Sequence, residues 1–298
     1  MYLCQGYTLG SMPNKYAHKL AAKLAPDPDA FLAALTEGKS ARPAVLWLGD
    51  SAESPFTSLS PAPWQPEFVQ AVAPGERPGR HALHDQGAYY CLDLSSVFEA
   101  SALCGLPTGG TVVDVCAAPG GKTVFAHRAL GPERLIANEV IGKRLGPLTG
   151  NLKRCAVPAE TRCADPARLA EELAGQASVV LVDAPCSGQS LLARGQDNPG
   201  AFHPVNVNSC ANRQKRILAE SVRLLAPGGF LLYSTCTYAK EENEDVISWL
   251  RVRFPELTPQ ELPTHERHRS PHADFPCYRL WPETGFGAGG FLTLLKHP

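Results

Sequence analysis

The sequence predicts an α/β fold built on a mainly parallel, doubly wound sheet. The first observation is that short apolar segments alternate with helical patterns from about residue 95 onward, as they do in folds made of βα units. The second is that these segments are continuously apolar, which is typical of strands that helices cover on both faces. We expect the spatial strand order 3-2-1-4-5, with ligands bound at the carboxyl ends of the strands.

A difference in composition predicts two domains: a small α+β N-terminal domain over residues 1–75 and a larger α/β domain over residues 76–298. The N-terminal domain has helical patterns at 14–24 and 28–35 and an apolar strand at 44–48, followed by proline-rich connections. The larger domain has these elements in order: helix 95–103, strand 111–116, helix 123–130, strand 135–139, helix 142–154, a weak strand 159–163, helix 167–173, strand 178–183, helix 212–225, strand 230–234, helix 243–253 and strand 291–295.

Composition restricts the class of protein. The 298 residues carry a net charge of −1, and 44% of them are hydrophobic against 19% charged, which excludes a largely disordered chain. No apolar run reaches the roughly 18 residues that a membrane span requires, and no signal-peptide pattern is present at the N-terminus. We expect a cytoplasmic protein that contacts no membrane, and we expect it to act as a monomer.

Ten cysteines are spread along the chain without a C-x-x-C pair. This spacing does not support a zinc ribbon or a thioredoxin-like site, so we predict no metal ion. In the absence of a secretory signal, most of the cysteines should be reduced and should pack as small buried side chains.

The first strand of the alternation runs into a glycine-rich turn made of Cys116, Ala117, Ala118, Pro119, Gly120, Gly121 and Lys122. Its two glycines allow the backbone to approach a ligand, and the helix that follows offers free N–H groups. A P-loop would need a glycine in place of Cys116, and the G-x-G-x-x-G dinucleotide fingerprint is absent. A nucleoside cofactor such as S-adenosylmethionine needs a glycine turn and an acid for its ribose hydroxyls, and Glu139 has the spacing of that acid. A P-loop-like nucleotide-binding protein is the alternative.

Two cysteines follow strands that the predicted order makes neighbours. Cys186 follows Asp183 after the fourth strand, and Cys236 follows the fifth, so both thiols should lie at one edge beside the glycine-rich turn. A thiolate that attacks carbon 6 of a pyrimidine makes carbon 5 able to accept a methyl group. A carboxylic acid can assist at ring nitrogen 3, and a second thiol can assist release. Asp183, Cys186 and Cys236 supply these groups.

The segments DVCAAPGGKT, ANE, DAPCSG, PGGFLLYSTCTYAKEENE and RLWPETGFGAGGF resemble, in order, the motifs of the Sun-type RNA (cytosine-5) methyltransferases. The bacterial RsmF-like branch, which acts on rRNA, is the most similar. The resemblance covers residues 81–298 and extends weakly to residues 12–24. It implies a Rossmann-like, S-adenosylmethionine-dependent methyltransferase that acts on RNA, with rRNA as the first expected substrate and tRNA as the second. It also makes residues 1–75 a candidate for RNA contact.

The resemblance implies a role for each residue that matches a family motif. Residues 116–122 would surround the methionine and ribose parts of the cofactor, Glu139 would bind the ribose hydroxyls, and Asp165 would lie near the adenine. Asp183 would contact both the cofactor side and the target cytosine. Cys236 would be the nucleophile and Cys186 would assist release. DNA cytosine methylases suggest the reversed assignment of the two thiols, but the presence of both motifs favours Cys236.

The sequence departs from the family pattern at three places. Residues 192–197 replace an Arg-Lys-Asp-like stretch, Glu283 stands where a His is usual, and Ala288 and Gly290 stand where an Asp and a Phe are common. The chain also ends soon after the last motif, so we expect no C-terminal RNA-binding extension. These departures affect the choice of RNA more than the chemistry, and a non-catalytic RNA-binding factor is a further alternative.

Overall fold

A computed structural model describes residues 13–49 and 54–298. The predicted N-terminal domain therefore includes residues 1–12 and 50–53, which lie outside the described part of the chain. The elements up to residue 100 are α1 (Lys15–Leu24), α2 (Pro28–Glu37), β1 (Pro43–Trp47), β2 (Val69–Ala71), α3 (Ala82–Asp85), β3 (Tyr89–Asp93) and α4 (Leu94–Ala100). Those that follow are β4 (Thr111–Asp114), α5 (Gly121–Leu130), β5 (Arg134–Asn138), α6 (Leu145–Arg154), β6 (Glu160–Arg162), α7 (Pro166–Leu173), β7 (Ala177–Asp183), α8 (Ser190–Ala193), α9 (Pro204–Val222), β8 (Leu225–Thr235), α10 (Glu244–Arg253), β9 (Thr258–Pro259), β10 (Tyr278–Leu280) and β11 (Gly290–Lys296).

The main sheet has the order β10-β11-β8-β7-β4-β5-β6, and β9 pairs with β11. The five strands from β8 to β6 are parallel to their neighbours, and they reproduce the predicted order 3-2-1-4-5. β11 then pairs antiparallel with β8, and β10 pairs antiparallel with β11. The carboxyl ends of β4, β5, β7 and β8 consequently lie at one edge of the sheet.

Helices cover both faces of this sheet. Val112 and Val113 are adjacent on β4 but belong to two different hydrophobic cores, because successive side chains of a strand point to opposite faces. The first core contains residues of α4, α5 and α6, and the second contains residues of α7, α9 and α10. The doubly wound arrangement is therefore confirmed.

The prediction of a helix over residues 212–225 was wrong at both ends. α9 begins eight residues earlier, at Pro204, because proline is well suited to the first turn of a helix and His203 Nδ1 accepts a hydrogen bond from the Val205 N–H. At its other end the helix stops at Val222, and the Pro-Gly-Gly segment that follows lies inside β8. A register irregularity in the β7–β8 pairing accommodates this segment.

A small antiparallel sheet with the order β2-β1-β3 lies before the main sheet in the chain. Its strand β3 comes from beyond residue 75, so the division into residues 1–75 and 76–298 stays a prediction. Helices α1 and α2 pack elsewhere: the buried ring of Phe31 makes edge-on contacts with the rings of Tyr238 and Trp281. The N-terminal helices are thereby fixed beside the loop that follows β8. Among the described helices, none is long and apolar enough to cross a membrane.

Candidate active site

The two predicted thiols lie in contact at the carboxyl edge of the sheet. Cys186 follows β7, Cys236 follows β8, and their Sγ atoms are 3.3 Å apart. Both side chains are partly exposed, so a molecule bound at this edge of the sheet, called the cleft below, can reach them. Parallel pairing of Asp183 with Ser234 places the ends of β7 and β8 side by side, which is why residues 50 positions apart in the chain meet.

The loops that carry the thiols are joined by a buried glutamate. Glu242 Oε2 accepts hydrogen bonds from the Ser187 N–H at 2.9 Å and from Gln214 Nε2 at 2.9 Å. Ser187 Oγ also lies 2.9 Å from Thr237 Oγ1, which links the loop after β7 directly to the loop after β8. Because these groups are buried and paired, both loops are held in one conformation.

A chain of charged side chains, buried at Glu99 and Lys122 and exposed at Asp183, lies next to the thiols. The Lys122 ammonium is 2.8 Å from Asp183 Oδ2 and 2.6 Å from Glu99 Oε2. Burial alone would lower the pKa of Lys122, but the two carboxylates outweigh it and raise the pKa, so Lys122 stays charged. Ser234 Oγ donates to Asp183 Oδ1 at 3.2 Å. Lys122 is therefore occupied by carboxylates, which argues against the P-loop alternative, in which this lysine would serve a phosphate.

The environment of the thiols distinguishes one from the other. The hydrogen bond from Cys186 lowers the pKa of Cys236, burial and Asp183 raise it, and Arg194 and Lys122 lower it. The net effect is a pKa below that of an ordinary thiol. The same contact raises the pKa of Cys186 well above its ordinary value. Because the thiolate is the nucleophilic form, the electrostatics favour Cys236 as the attacking group.

The glycine-rich turn between β4 and α5 is held from the side of α6. Arg144 Nη2 donates to the Ala118 carbonyl at 2.6 Å, and Asn151 Nδ2 donates to the Pro119 carbonyl at 2.9 Å. Gly120 has a φ of +114°, in the region that favours glycine. The predicted turn at the sheet edge is thus held in place, and it consists of Cys116, Ala117, Ala118, Pro119, Gly120 and Gly121. The side chain of Lys122 points instead to the carboxylates of Glu99 and Asp183.

Glu139 satisfies a structural test for a group that binds ribose hydroxyls. It follows β5, is 2% exposed, and its Oε1 accepts a hydrogen bond from the Ile141 N–H at 2.9 Å. Arg144 Nη1 lies 2.9 Å from Oε2, but the contact lacks hydrogen-bond geometry, and this buried oxygen has no donor. A buried acceptor without a donor fits a ligand hydroxyl, so the residues present fit the nucleoside part of S-adenosylmethionine.

Asp165 lies at the carboxyl edge of the sheet, where it serves as the N-cap of α7. It is exposed, it caps α7, and its Oδ1 accepts a hydrogen bond from the Ala167 N–H at 2.9 Å. Asn138 connects this region to the turn, because its side chain bonds to the backbone of Val115 and of Ala164. The role of Asp165 near an adenine stays a prediction.

The prediction that most of the remaining cysteines pack as buried side chains holds for only three of the seven that the structure describes, since Cys91 and Cys116 are partly exposed. Cys104 and Cys163 are exposed, whereas Cys155, Cys210 and Cys277 are buried. The cysteine at position 4 lies outside the described residues. All the described cysteines are free thiols.

Two charged residues of the site were missed. Glu99 lies in a helix that is otherwise uncharged, and this isolation was an available signal, since a carboxylate is buried there only if it is paired. Arg194 lies close enough to Cys236 to lower the pKa of its thiol, and its buried Nε has no hydrogen-bond acceptor. The segment around it departs from the family pattern, so no motif identified it.

Comparison with known proteins decides the family. A sequence profile described as 16S rRNA methyltransferase RsmB/F matches residues 105–296, which is more than half of the chain. The chain belongs to the RsmB/F family. The resemblance to Sun-type, RsmF-like proteins is thus confirmed, and membership of a family that depends on S-adenosylmethionine confirms the predicted cofactor.

Curated relatives carry the same family name. The ribosomal RNA small subunit methyltransferase F of Pectobacterium carotovorum is 32% identical over 204 residues, which cover 66% of this chain and 42% of that protein. The protein of the same name from Vibrio parahaemolyticus is 34% identical over 208 residues, which cover 68% and 44%. This RsmB/F chain therefore spans less than half the length of these relatives.

Solved structures support the fold. A methyltransferase homolog protein from Pyrococcus horikoshii superimposes with a TM-score of 0.77 at 22% identity, covering 94% of each chain. NSun6 from the same organism gives a TM-score of 0.64 at 24% identity, covering 74% of this chain and 56% of that one. Together with the observed sheet, these similarities confirm a Rossmann-like methyltransferase fold.

Proposed function

We propose that this RsmB/F protein methylates carbon 5 of a cytosine in RNA, with S-adenosylmethionine as methyl donor and rRNA as the substrate class. One observation supports the chemistry above all: a thiol with a lowered pKa, Cys236, contacts a second thiol, Cys186, beside the Lys122–Asp183 pair. The family name supports rRNA as the substrate, and tRNA is the next class to test.

The proposed reaction begins with the Cys236 thiolate. Its sulfur forms a bond to carbon 6 of the cytosine, and the electrons of the 5,6 double bond make carbon 5 nucleophilic. When Asp183 carries a proton, its carboxylic acid donates a hydrogen bond to ring nitrogen 3 and so accommodates the added electron density. The cofactor supplies the methyl group that carbon 5 accepts.

Release requires the proton on carbon 5 to leave. In the proposed sequence, the Cys186 thiol first loses its proton to solvent, and the resulting thiolate accepts the proton from carbon 5. The electron pair of that C–H bond restores the 5,6 double bond, and the bond between Cys236 and carbon 6 breaks with its electron pair returning to the Cys236 sulfur. The distance of 3.3 Å between the two sulfur atoms supports separate roles for Cys236 in attack and for Cys186 in release. The bound cofactor would lie between the glycine-rich turn and Glu139. The Oε2 atom of Glu139, which has no hydrogen-bond donor in the protein, would accept a hydrogen bond from a ribose hydroxyl.

The test is transfer of a labelled methyl group to isolated rRNA, to ribosomal subunits and to tRNA. Cys236→Ala should abolish transfer. Cys186→Ala should instead accumulate a covalent protein–RNA adduct, detectable as a band that resists denaturation and disappears after nuclease treatment. Bisulfite mapping of the product would locate the methylated cytosine. Full activity of Cys236→Ala would overturn the mechanism, and RNA binding without transfer to any of these RNAs would favour a non-catalytic factor.

A further inference from the structure

A buried carboxylate beside the candidate active site has no part in the reaction just proposed. Glu99 lies on α4 and is 2% exposed. Its Oε2 atom is 2.6 Å from the ammonium of Lys122, which is 2.8 Å from Asp183 on its other side. Asp183 in turn is 39% exposed. The three side chains form a continuous row of charges that starts in the interior and ends in the cleft.

The fold leaves room for this carboxylate at one glycine. A Cβ atom added to Gly290, at the start of β11, would lie 2.0 Å from Glu99 Oε1 and 3.0 Å from the Thr235 carbonyl oxygen. Any larger side chain at position 290 would therefore displace the carboxylate from its contact with Lys122. Gly290 is also one of the three positions of the last motif where this chain departs from the family pattern.

The row of charges also reaches the nucleophilic thiol. Burial raises the pKa of Glu99 to about 8; Lys122 lowers it, and both Asp183 and Cys236 raise it. Glu99 and Cys236 are therefore close enough for the charge on one to oppose the charge on the other. Lys122 lowers the pKa of Glu99 and the pKa of Cys236, so its positive charge offsets the repulsion between these two groups.

We propose that Glu99 is a positioning residue: it holds the Lys122 ammonium against Asp183, and through this contact it sets the orientation of the Asp183 carboxylate and the ionisation of the Cys236 thiol. A buried ion pair does not by itself imply a gain in stability, because desolvation offsets much of the attraction. The contribution of the Glu99–Lys122 ion pair is to fix the position of the Lys122 ammonium. The effect on methyl transfer rests on the proposed function, whereas the effect on the thiol does not.

The first experiment measures the Cys236 thiol without RNA. Alkylation of Cys236 by iodoacetamide is followed against pH by peptide mass spectrometry in the wild type and in Glu99→Gln. The amide keeps the shape of the side chain and cannot become charged. Because the pKa of Glu99 is raised to about 8, above the pH at which Cys236 begins to ionise, the upper part of the Cys236 alkylation curve should shift to lower pH in this variant. The shift should be measured against Glu160→Gln, which removes an exposed ion pair with Arg134 and should leave the curve unchanged.

The second experiment measures methyl transfer to RNA. Glu99→Gln should lower kcat by about tenfold to a hundredfold, the effect of a small misplacement of a group in an active site. KM for RNA should stay within about twofold, since Glu99 is buried and a mutation that removes a transition-state contact acts on kcat. A residue that serves only the fold would lower the thermal midpoint and leave kcat of the folded enzyme unchanged.

A double-mutant cycle provides a test that does not depend on Glu99→Gln alone. Gly290→Ala should lower kcat in the wild type because the new methyl group displaces the Glu99 carboxylate. In a Glu99→Ala background the clash with the carboxylate is gone and only the 3.0 Å approach to the Thr235 carbonyl oxygen remains, so the second loss should be much smaller than the first. Equal losses in the two backgrounds would contradict the proposed role.

The outcomes separate the two proposals. If the wild type methylates no RNA, the proposed function fails, and the alkylation curve still decides the role of Glu99. If the wild type methylates RNA but Glu99→Gln matches it in both kcat and alkylation curve, only the positioning role fails.

Discussion

At the scale of single residues, contact between two thiols gives each a different chemistry. The two sulfur atoms are 3.3 Å apart, and their contact lowers the pKa of Cys236 and raises that of Cys186, which assigns Cys186 as the donor to a Cys236 thiolate. The sequence placed both cysteines at neighbouring strand ends, and the structure brings them into contact. The role of Arg194 could not be predicted from the sequence, because this side chain lies in a segment that matches no motif.

The asymmetry of the thiols predicts the effect of removing the donor. Cys186→Ala takes away the hydrogen bond that is the largest cause of the lowered pKa of Cys236, so the pKa of Cys236 should rise. Alkylation of Cys236 would then require a higher pH than in the wild type. Cys186→Ser retains a donor at this position and should shift the curve less. A curve for Cys186→Ala that moves to lower pH would show that the donor assignment is reversed.

At the scale of elements, the strand–helix alternation was sufficient to predict the five parallel strands and their order. Continuous apolar runs identify buried strands well, because both faces of such a strand are covered. The small sheet was only partly predictable: β2 is three residues long, and its pairing with β1 depends on contacts distant in sequence. The start of α9 was missed because asparagine and serine side chains interrupt its first turns, although Val207, Cys210 and Ala211 form a buried face there.

The loops after β7 and β8 provide a test of how the fold supports the site. Glu242→Ala would leave the Ser187 N–H and the Gln214 amide without their shared acceptor. A cost of about 2 kcal/mol for these unpaired groups should lower the thermal midpoint by about 4–8 °C. Glu241→Ala is the matched control, since the neighbouring glutamate is exposed and should leave the midpoint within about 1 °C. Equal midpoints for the two variants, measured by calorimetry, would show that the loops do not depend on Glu242.

At the scale of the whole molecule, the net charge of −1 means that the proposed binding of RNA would depend on local basic surfaces. One such surface is on α1, where Lys15, Lys19 and Lys23 are exposed. This helix belongs to the N-terminal pair that packs through Phe31 against Tyr238, two residues beyond Cys236. A basic helix fixed at this edge of the sheet suits a strand of RNA that enters the cleft.

A pair of substitutions on α1 tests this arrangement. Because phosphate neutralisation dominates the salt dependence of RNA binding, Lys19→Gln with Lys23→Gln should weaken binding and reduce the slope of log K against log salt by about 0.7 for each phosphate that a lysine no longer neutralises. KM for RNA should rise while kcat stays unchanged, since neither lysine touches the thiols. The control pair is Arg253→Gln with Lys296→Gln. Arg253 is the last residue of α10, the helix that follows the loop after β8. Lys296 pairs with Phe230, five residues before the carboxyl end of β8 that leads to Cys236. Equal salt slopes for the two pairs, measured by fluorescence anisotropy, would place the RNA on another surface.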